Sequence, residues 1–523
     1  MTKLTYLGHA CFLIETEAAA CLIDPWLSPR GAFLGAWRQL PPNDHMLQWL
    51  LAKMQEKPVL VYVTHEHEDH YDEETLAKIL PFAAKLCIPN YDSDYFKRRI
   101  AAHLNHAPEL VDENETQCFH DIEFKIFIDE SGINRDSAIF IKTADLSFFD
   151  ANDCKIFDRA LWLKEQCGHI DIMSSQFSGA NMHPICYDIS PEEYKKISRQ
   201  KKMRKFQAAR NFIQDLAPGF YMPSAGPAIF PYPEHYHLNF ETETIFPKWW
   251  EFESYLKEKN SGISFAALDV GGSAMASGGA PIHFEGTAAP LDKQRLDEII
   301  QYYRAVDAGA PAPADISESD VLRFFEKEMQ DKTAILQKFP AEPLSGAVYF
   351  SVKGETSEHL YAITLPEHTF SRIEAQELKP PYYLHQTSIA ALRKLIQSTR
   401  GWGTYFLSFL FRNKRDPDVF DSVLSTFFVA NDTNELEYGL EKLSGFRNND
   451  EMITLTAADG TMVNCKRFCP HQGADLKYAK FDGRYVTCPR HQWKFDCENG
   501  GKADNSADTL NAQIYPEAKK SNG

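Results

Sequence analysis

The sequence predicts an α/β chain that ends in a small all-β domain, and three observations carry that expectation. Residues 1–290 alternate strand-like and helix-like stretches. Residues 284–317 are biased to Pro, Ala and Gly, in GTAAP and GAPAPAD, as a boundary or exposed connector would be. Residues 441–523 change to short apolar runs divided by Gly and Asp turns. At roughly 150 residues per domain, a 523-residue chain suggests about three domains. The predicted divisions are 1–285, 286–440 and 441–523.

In order along the chain, Leu4–Leu7, Cys11–Glu15 and Cys21–Ile23 read as short strands broken by turns. Val59–Thr64 (VLVYVT) is a continuous apolar run of buried-strand length. Asp72 opens a helical stretch whose first turn is acidic, where the helix dipole favours negative charge. Ala138–Phe149 is strand-rich again. In 286–440, a mixed connecting region, helical patterns flank a strand-like piece at Ala347–Thr364.

A hydrophobic content of 44% and an aromatic content of 13% suit packed cores. The formal net charge of −18 argues against nucleic acid or an anionic membrane as the main partner. No run approaches the ~20 apolar residues that span a bilayer. The opening MTKLTYLGHACFLIE lacks a basic region followed by a long apolar stretch, so no signal peptide is expected. The eleven cysteines are an odd number in a chain too long for a disulfide scaffold, which fits a reduced, cytoplasmic setting.

Near the C-terminus, Cys469-Pro470-His471 is followed after sixteen residues by Cys488-Pro489-Arg490-His491. In this C-x-H…C-x-x-H pattern two thiolates can hold one iron and two imidazoles another, and the neutral imidazoles raise the reduction potential. A zinc site with two Cys and two His is the alternative, but zinc motifs commonly keep like ligands together. The stretch CPHQGADL…CPRHQWKFD resembles Rieske domains of the oxygenase and ferredoxin type. The resemblance implies an electron-delivering [2Fe–2S] cluster on Cys469, His471, Cys488 and His491. Respiratory Rieske proteins carry an extra cysteine in each loop; here Gln472 and Arg490 occupy the loops.

After VLVYVT comes His65-Glu66-His67-Glu68-Asp69-His70, four ligand-type residues of an H-x-H-x-D-H pattern at a strand end. Alternation along extended backbone puts His65 and His67 on one side, with Asp69 and His70 turned toward a second metal. The pattern resembles the metallo-β-lactamase fold over roughly 1–285, and the opening YLGHACFLIE looks like its lactonase branch. That implies an αβ/βα sandwich with metals at the sheet edges. The resemblance also implies a bridging aspartate, for which Asp153 fits and Asp150 is the neighbouring alternative. Upstream, where zinc members have histidine, this chain has Asp129-Glu130. Glu130 is the favoured ligand there, with Asp129 as the alternative, as in the diiron branch of the fold. A late-loop histidine would complete the set; His183, His235 and His237 are the unranked candidates. His9 is placed near the site by analogy or is a core histidine.

A Rieske cluster passes single electrons, and a histidine–carboxylate iron centre can use them on O₂, whereas zinc has no redox chemistry to feed. The combination resembles the CMP-N-acetylneuraminate hydroxylase family. The segments QFSGANMHPICY, PSAGPAIFPYPEHYHLN and WGTYFLSFLFRNKRDPD extend that resemblance along the chain. The family places its Rieske domain first and this chain places it last, so the chemistry is carried over and the sugar-nucleotide substrate is not. The resemblance implies an iron-dependent monooxygenase with a non-heme, two-iron centre and O₂ as co-substrate. It also implies a small-molecule substrate and an NAD(P)H-linked reductase, ferredoxin or cytochrome b5-like donor. A homo-oligomer is compatible by analogy with other Rieske oxygenases. The rival readings are a dioxygen or nitric-oxide reductase of flavodiiron type, and a zinc hydrolase with a redox-regulating Rieske domain. Two further features point elsewhere: the glycine-rich 269–279 reads as a loop near the metal site, and KISRQKKMRK (196–205) as a solvated helix face.

Overall fold

The computed structural model describes residues 1–129, 135–309, 315–340, 344–374, 378–398, 400–504, 506 and 508–515. The N-terminal part is built on two facing sheets. One has eight strands, in the spatial order 283–287, 268–276, 2–8, 11–15, 20–23, 59–62, 85–89 and 109–111. The other has six, in the order 220–224, 172–176, 147–150, 136–142, 122–129 and 117–119.

Alternation along each strand explains why these runs are apolar throughout. Phe12, Ile14, Cys21, Ile23, Leu60 and Tyr62 point from the first sheet into a shared core with Ile126, Ile139, Phe148 and Ile172 of the second. Their neighbours Leu13, Leu22, Val59 and Val61 point outward onto Leu50, Leu76, Ile79, Phe96 and Ile100 of covering helices. On the far side Phe127, Phe140, Phe149 and Met173 meet Leu163, Phe206, Phe212 and Phe252 of helices 160–167, 191–216 and 249–258. A strand buried on both faces needs no polar alternation. The result is the αβ/βα sandwich expected from the sequence.

The strand-like piece at 347–364 is two antiparallel strands, 347–353 and 358–364, within a five-stranded sheet. Its helices share one core with Trp26, Trp37, Phe230 and Phe246 of the sandwich. The helix Thr433–Asn448 runs across residue 440, so the small β part begins at the strand Met452–Thr456. That part pairs a three-stranded sheet (452–456, 462–466, 513–515) with a four-stranded one (480–481, 485–487, 494–496, 502–503). Val463, Leu476, Val486, Phe495 and Leu510 fill its core.

The glycine-rich 269–279 is corrected from loop to strand: Leu268–Ala276 pairs with both 2–8 and 283–287. Its glycines permit close approach, since a Cβ on Gly272 would meet the carbonyl oxygen of Gly286 at 2.5 Å. No helix among the described residues is long and apolar enough to cross a membrane.

Candidate metal centres

The parallel strands 20–23 and 59–62 end together, as does 147–150 in the facing sheet. Their carboxyl ends deliver Asp24, His65 and Asp153, the usual place for a site in such sheets. Along the extended 65–68 segment, side chains alternate. His65 and His67 turn to one side, with His65 Nε2 and His67 Nδ1 2.9 Å apart. Glu66 and Glu68 turn away: Glu66 accepts from Arg135 at 2.7 Å, and Glu68 accepts from the Phe33 backbone at 2.6 Å and pairs with Arg400.

Three overlapping groups of potential ligands result: His65, His67 and Asp136; His65, His70 and Asp153; His9, Asp69 and His70. Asp136 Oδ1 lies 3.6 Å from His65 Nε2, and Asp153 Oδ1 3.8 Å from His70 Nε2. These spacings are too long for hydrogen bonds, but donors about 2.1 Å from one shared ion lie roughly 3–4 Å apart. His70 Nε2 and Asp136 Oδ1 are both buried without a hydrogen-bond partner. Orphaned buried atoms of this kind are costly, and a cation between them would satisfy both. The donor set therefore fits a metal. Cys154, beside Asp153, turns away toward the Phe127 carbonyl, leaving nitrogen and oxygen donors of the kind that suit iron or zinc.

A buried shell fixes the donors. Asp24 holds His70 Nδ1 at 2.7 Å and accepts from the Thr64 backbone N–H at 2.8 Å. Thr64 Oγ1 lies 2.9 Å from His65 Nδ1, leaving Nε2 for the site. Gln176 donates to Asp153 at 2.7 Å, and His9 Nε2 sits 3.0 Å from Asp69. Burial alone would lower His70, but Asp24, Asp69 and Asp153 outweigh it and raise it to about 10. Burial would raise Asp69, yet His70 and His9 hold it below the usual carboxylate range. Burial pushes Asp136 up to about 6. So much carboxylate around one imidazole marks a pocket arranged for positive charge.

At the other centre, backbone N–H groups of His471 and Gln472 point at the Cys469 sulfur, and those of Arg490 and His491 at Cys488. The rings of His471 and His491 are 4.8 Å apart. His471 Nδ1 is buried and unpartnered. Trp493 stacks on His471 at 4.0 Å, within 8° of parallel. Gly473, at φ +65°, lets the loop pass under the Phe446 ring. Burial holds His471 near 3, with Arg490 and Lys155 pushing the same way. Two thiols and an orphaned imidazole nitrogen converging on one spot fit a sulfur-bridged iron pair.

Comparison with known proteins agrees with this division. Residues 3–131 match the beta-lactamase superfamily domain, and residues 426–516 match the Rieske [2Fe-2S] domain. The chain joins a beta-lactamase superfamily domain to a Rieske domain, in that order. A protein of Mycobacterium tuberculosis described as a Rieske 2Fe-2S iron-sulfur protein is 24% identical over 534 residues, covering 95% of this chain and 97% of its own length. The cytidine monophosphate-N-acetylneuraminic acid hydroxylase of Pan troglodytes is 22% identical over 456 residues, 82% of this chain and 71% of that protein. Among solved structures, the diiron beta-hydroxylase CmlA from Streptomyces venezuelae is 15% identical, covers 51% of this chain and 53% of its own, and has a TM-score of 0.34.

The lactamase-type domain gathers His65, His67, Asp69, His70 and Asp153 as the sequence suggests, with His9 beside them. It does not bring the late histidines to these groups. His235 Nε2 is 3.0 Å from the Phe409 carbonyl oxygen, His183 lies 3.4 Å from Asp418, and His237 is exposed near Glu241. Each serves the seam with the middle region or the surface, which corrects that expectation. Asp129 is also corrected: it pairs with Arg490 of the Rieske domain at 3.2 Å. Glu130 lies outside the described residues. Asp150 is buried behind the site, pushed up to about 8 by burial and by Asp24. The carboxylate the sequence reading missed is Asp136, directly opposite Asp129 in the hairpin register. Its signal was a lone aspartate just ahead of the apolar run 138–141.

Proposed function

We propose that this chain is a Rieske-dependent, O₂-activating oxygenase, a monooxygenase acting on a small molecule. The observation that carries the reading is the hairpin pairing Asp129 with Asp136. Asp136 belongs to the histidine–carboxylate group, and Asp129 grips Arg490 between the proposed cluster ligands Cys488 and His491. In this reading the cluster and the iron centre share one short structural element. The relative named as a hydroxylase supports the same class.

In this reading Cys469, His471, Cys488 and His491 hold the [2Fe–2S] cluster. His65, His67, Asp136, Asp69 and His70 would hold the iron, with His9 beside Asp69. Asp153, which lies in one group with His65 and His70, would be a further ligand. Loaded with two irons, such a centre supplies one-electron chemistry toward O₂, and the cluster supplies the electrons. The protein's own contribution is placement. Asp24 and Thr64 fix the ring orientation of His70 and His65, and Gln176 fixes Asp153. The stacked Trp493 and the Phe420 ring, edge-on at 5.1 Å, cover His471 and limit its contact with water. A separate reductase, ferredoxin or cytochrome b5-like protein delivers electrons to the cluster.

The test is anaerobic purification with iron and zinc counted and the reduced protein examined by EPR. The reading expects about four irons per chain, two in the cluster and two in the lactamase-type domain. A Rieske spectrum accompanied by zinc at the N-terminal site would replace it with the hydrolase reading.

A further inference from the structure

A cavity of about 1210 Å³ lies between the lactamase-type domain, the middle region and the Rieske domain, and His471 and His491 form part of its wall. Several of its cations are matched by carboxylates. Arg204 pairs with Asp504 at 2.6 Å, Arg415 with Asp418 at 2.7 Å and Arg447 with Asp508 at 2.9 Å. Three lysines on the wall are not so matched. Lys201 Nζ donates to the His183 carbonyl at 2.7 Å, and Lys205 Nζ to the side-chain oxygen of Gln176. Lys155 has no hydrogen-bond or ion-pair partner among the described residues. Lys201 and Lys205 stand one turn apart on the helix Pro191–Leu216, the inner face of the basic run 196–205. That run is therefore only in part a solvated face.

We infer that this cavity binds an anionic small molecule, with a carboxylate or phosphate group seated on Lys155, Lys201 and Lys205 beside the two cluster-side imidazoles. Asp418 acts on Lys201, and Asp153 and Asp136 on Lys205, but from beyond ion-pair distance. Crowded, half-buried ammonium groups without a direct ion pair are unfavourable, and an anion relieves both desolvation and mutual repulsion. Burial lowers Lys201 and Lys205 to about 7, with Arg415 acting further on the first and Lys155 on the second. The same wall ends one glutamine from the other centre, because Lys205 holds Gln176 and Gln176 holds Asp153. An anion anchored here lies between the two centres. Lys155 is the third residue of the Asp153-Cys154-Lys155 segment, and its charge acts on His65 and Asp136 as well as on His471 and His491. As the substrate's anchoring site the cavity rests on the oxygenase reading; as an anion site it stands without it.

The holoprotein, in low-salt buffer, is titrated separately with inorganic phosphate and with succinate. Calorimetry reports binding, and the EPR spectrum of the reduced cluster reports contact with the histidine side. Saturable binding of either anion, with a shift in the cluster's g-values, is expected, and the anion that saturates names the ligand's charged group. Charge-assisted contacts of this kind imply a roughly tenfold loss of affinity in Lys201→Gln and in Lys205→Gln. Lys155→Gln, at a position with no partner among the described residues, gives the same readout should the helix variants not fold. Lys196→Gln, on the exposed face, leaves the affinity unchanged. Absence of binding by both anions, or affinities unmoved in the three cavity variants, overturns the inference. Intact anion binding without any O₂-dependent product would remove the oxygenase reading and leave the site standing.

Discussion

Arg490 and Asp158 meet across the boundary between the Rieske and lactamase-type domains, Nη2 to Oδ1 at 3.1 Å, and both side chains are buried. The contact is a hub. Arg490 also reaches Asp129 at 3.2 Å and donates to the Gln472 carbonyl at 3.0 Å, so it ties the two cluster loops together. Asp158 in turn accepts the Asp475 backbone N–H at 3.1 Å. Through these bonds the Rieske loops are fixed to the same hairpin and loop that carry Asp136 and Asp153.

Asp158→Asn keeps the shape and removes the charge, leaving Arg490 short of a counter-ion. Breaking one side of a buried pair typically costs about 3–5 kcal/mol, moderated here by the remaining Asp129. The expected outcome is lower stability of the docked Rieske domain and slower reoxidation of the reduced cluster by O₂. Small misplacements of reacting partners cost up to about a hundredfold in rate. Stopped-flow absorbance measures this, with the EPR g-values of the cluster unchanged.

Asp24→Asn tests the support of His70. Asp24 contacts no proposed metal position, yet it orients His70 Nδ1 at 2.7 Å. Removing such an outer carboxylate lowers metal affinity by about 10–100-fold. Competition with a chelator, followed by iron analysis, should show selective loss of iron from the lactamase-type domain.

Asp136→Asn tests the residue the sequence reading missed. The N-terminal iron content should fall by about half or more while the two cluster irons stay. An unchanged iron count and unchanged turnover would return the role to the 129–130 segment.

Lys332 gives a prediction about pH that is independent of the metals. Its Nζ donates to the Phe427 and Ala430 carbonyls, at 2.9 and 2.7 Å, closing the end of the helix Ser422–Val429. Burial lowers it from the ordinary 10.5 to about 7. Between these values the unfolded chain binds more protons at this group than the folded one does. Its contribution to stability therefore rises with pH above about 7, and the full penalty of charging it applies below. Wild type should gain stability relative to Lys332→Met between pH 7 and 9.5, by at most about 1.4 kcal/mol per pH unit. Urea midpoints at the two pH values check the sign.

The two ligand motifs were legible because their spacing is local: H-x-H-x-D-H lies on one strand end, and each Cys/His pair on one loop. The sandwich was legible because strands buried on both faces leave uninterrupted apolar runs such as VLVYVT. Asp24 and Asp136 were not legible, since each is a single aspartate brought to the site by a neighbouring strand rather than by sequence proximity. The late histidines misled for the converse reason. His235, buried, and His183, half-buried, serve the seam with the middle region, and a histidine in a loop looks the same in sequence whichever partner it finds. The roles of Asp129 and Arg490 depend on domain docking, which no local pattern encodes.

The central claim is that electrons from the Rieske cluster reach O₂ at the histidine–carboxylate centre of the lactamase-type domain. The most direct measurement mixes chemically reduced, iron-loaded protein with O₂ and follows the cluster's absorbance in a single turnover, for wild type and for His67→Ala. Reoxidation at least about a hundredfold slower in the variant, with its Rieske EPR spectrum intact, is the predicted result. Equal rates in the two proteins would contradict the account, because O₂ would then be taking electrons without the N-terminal centre.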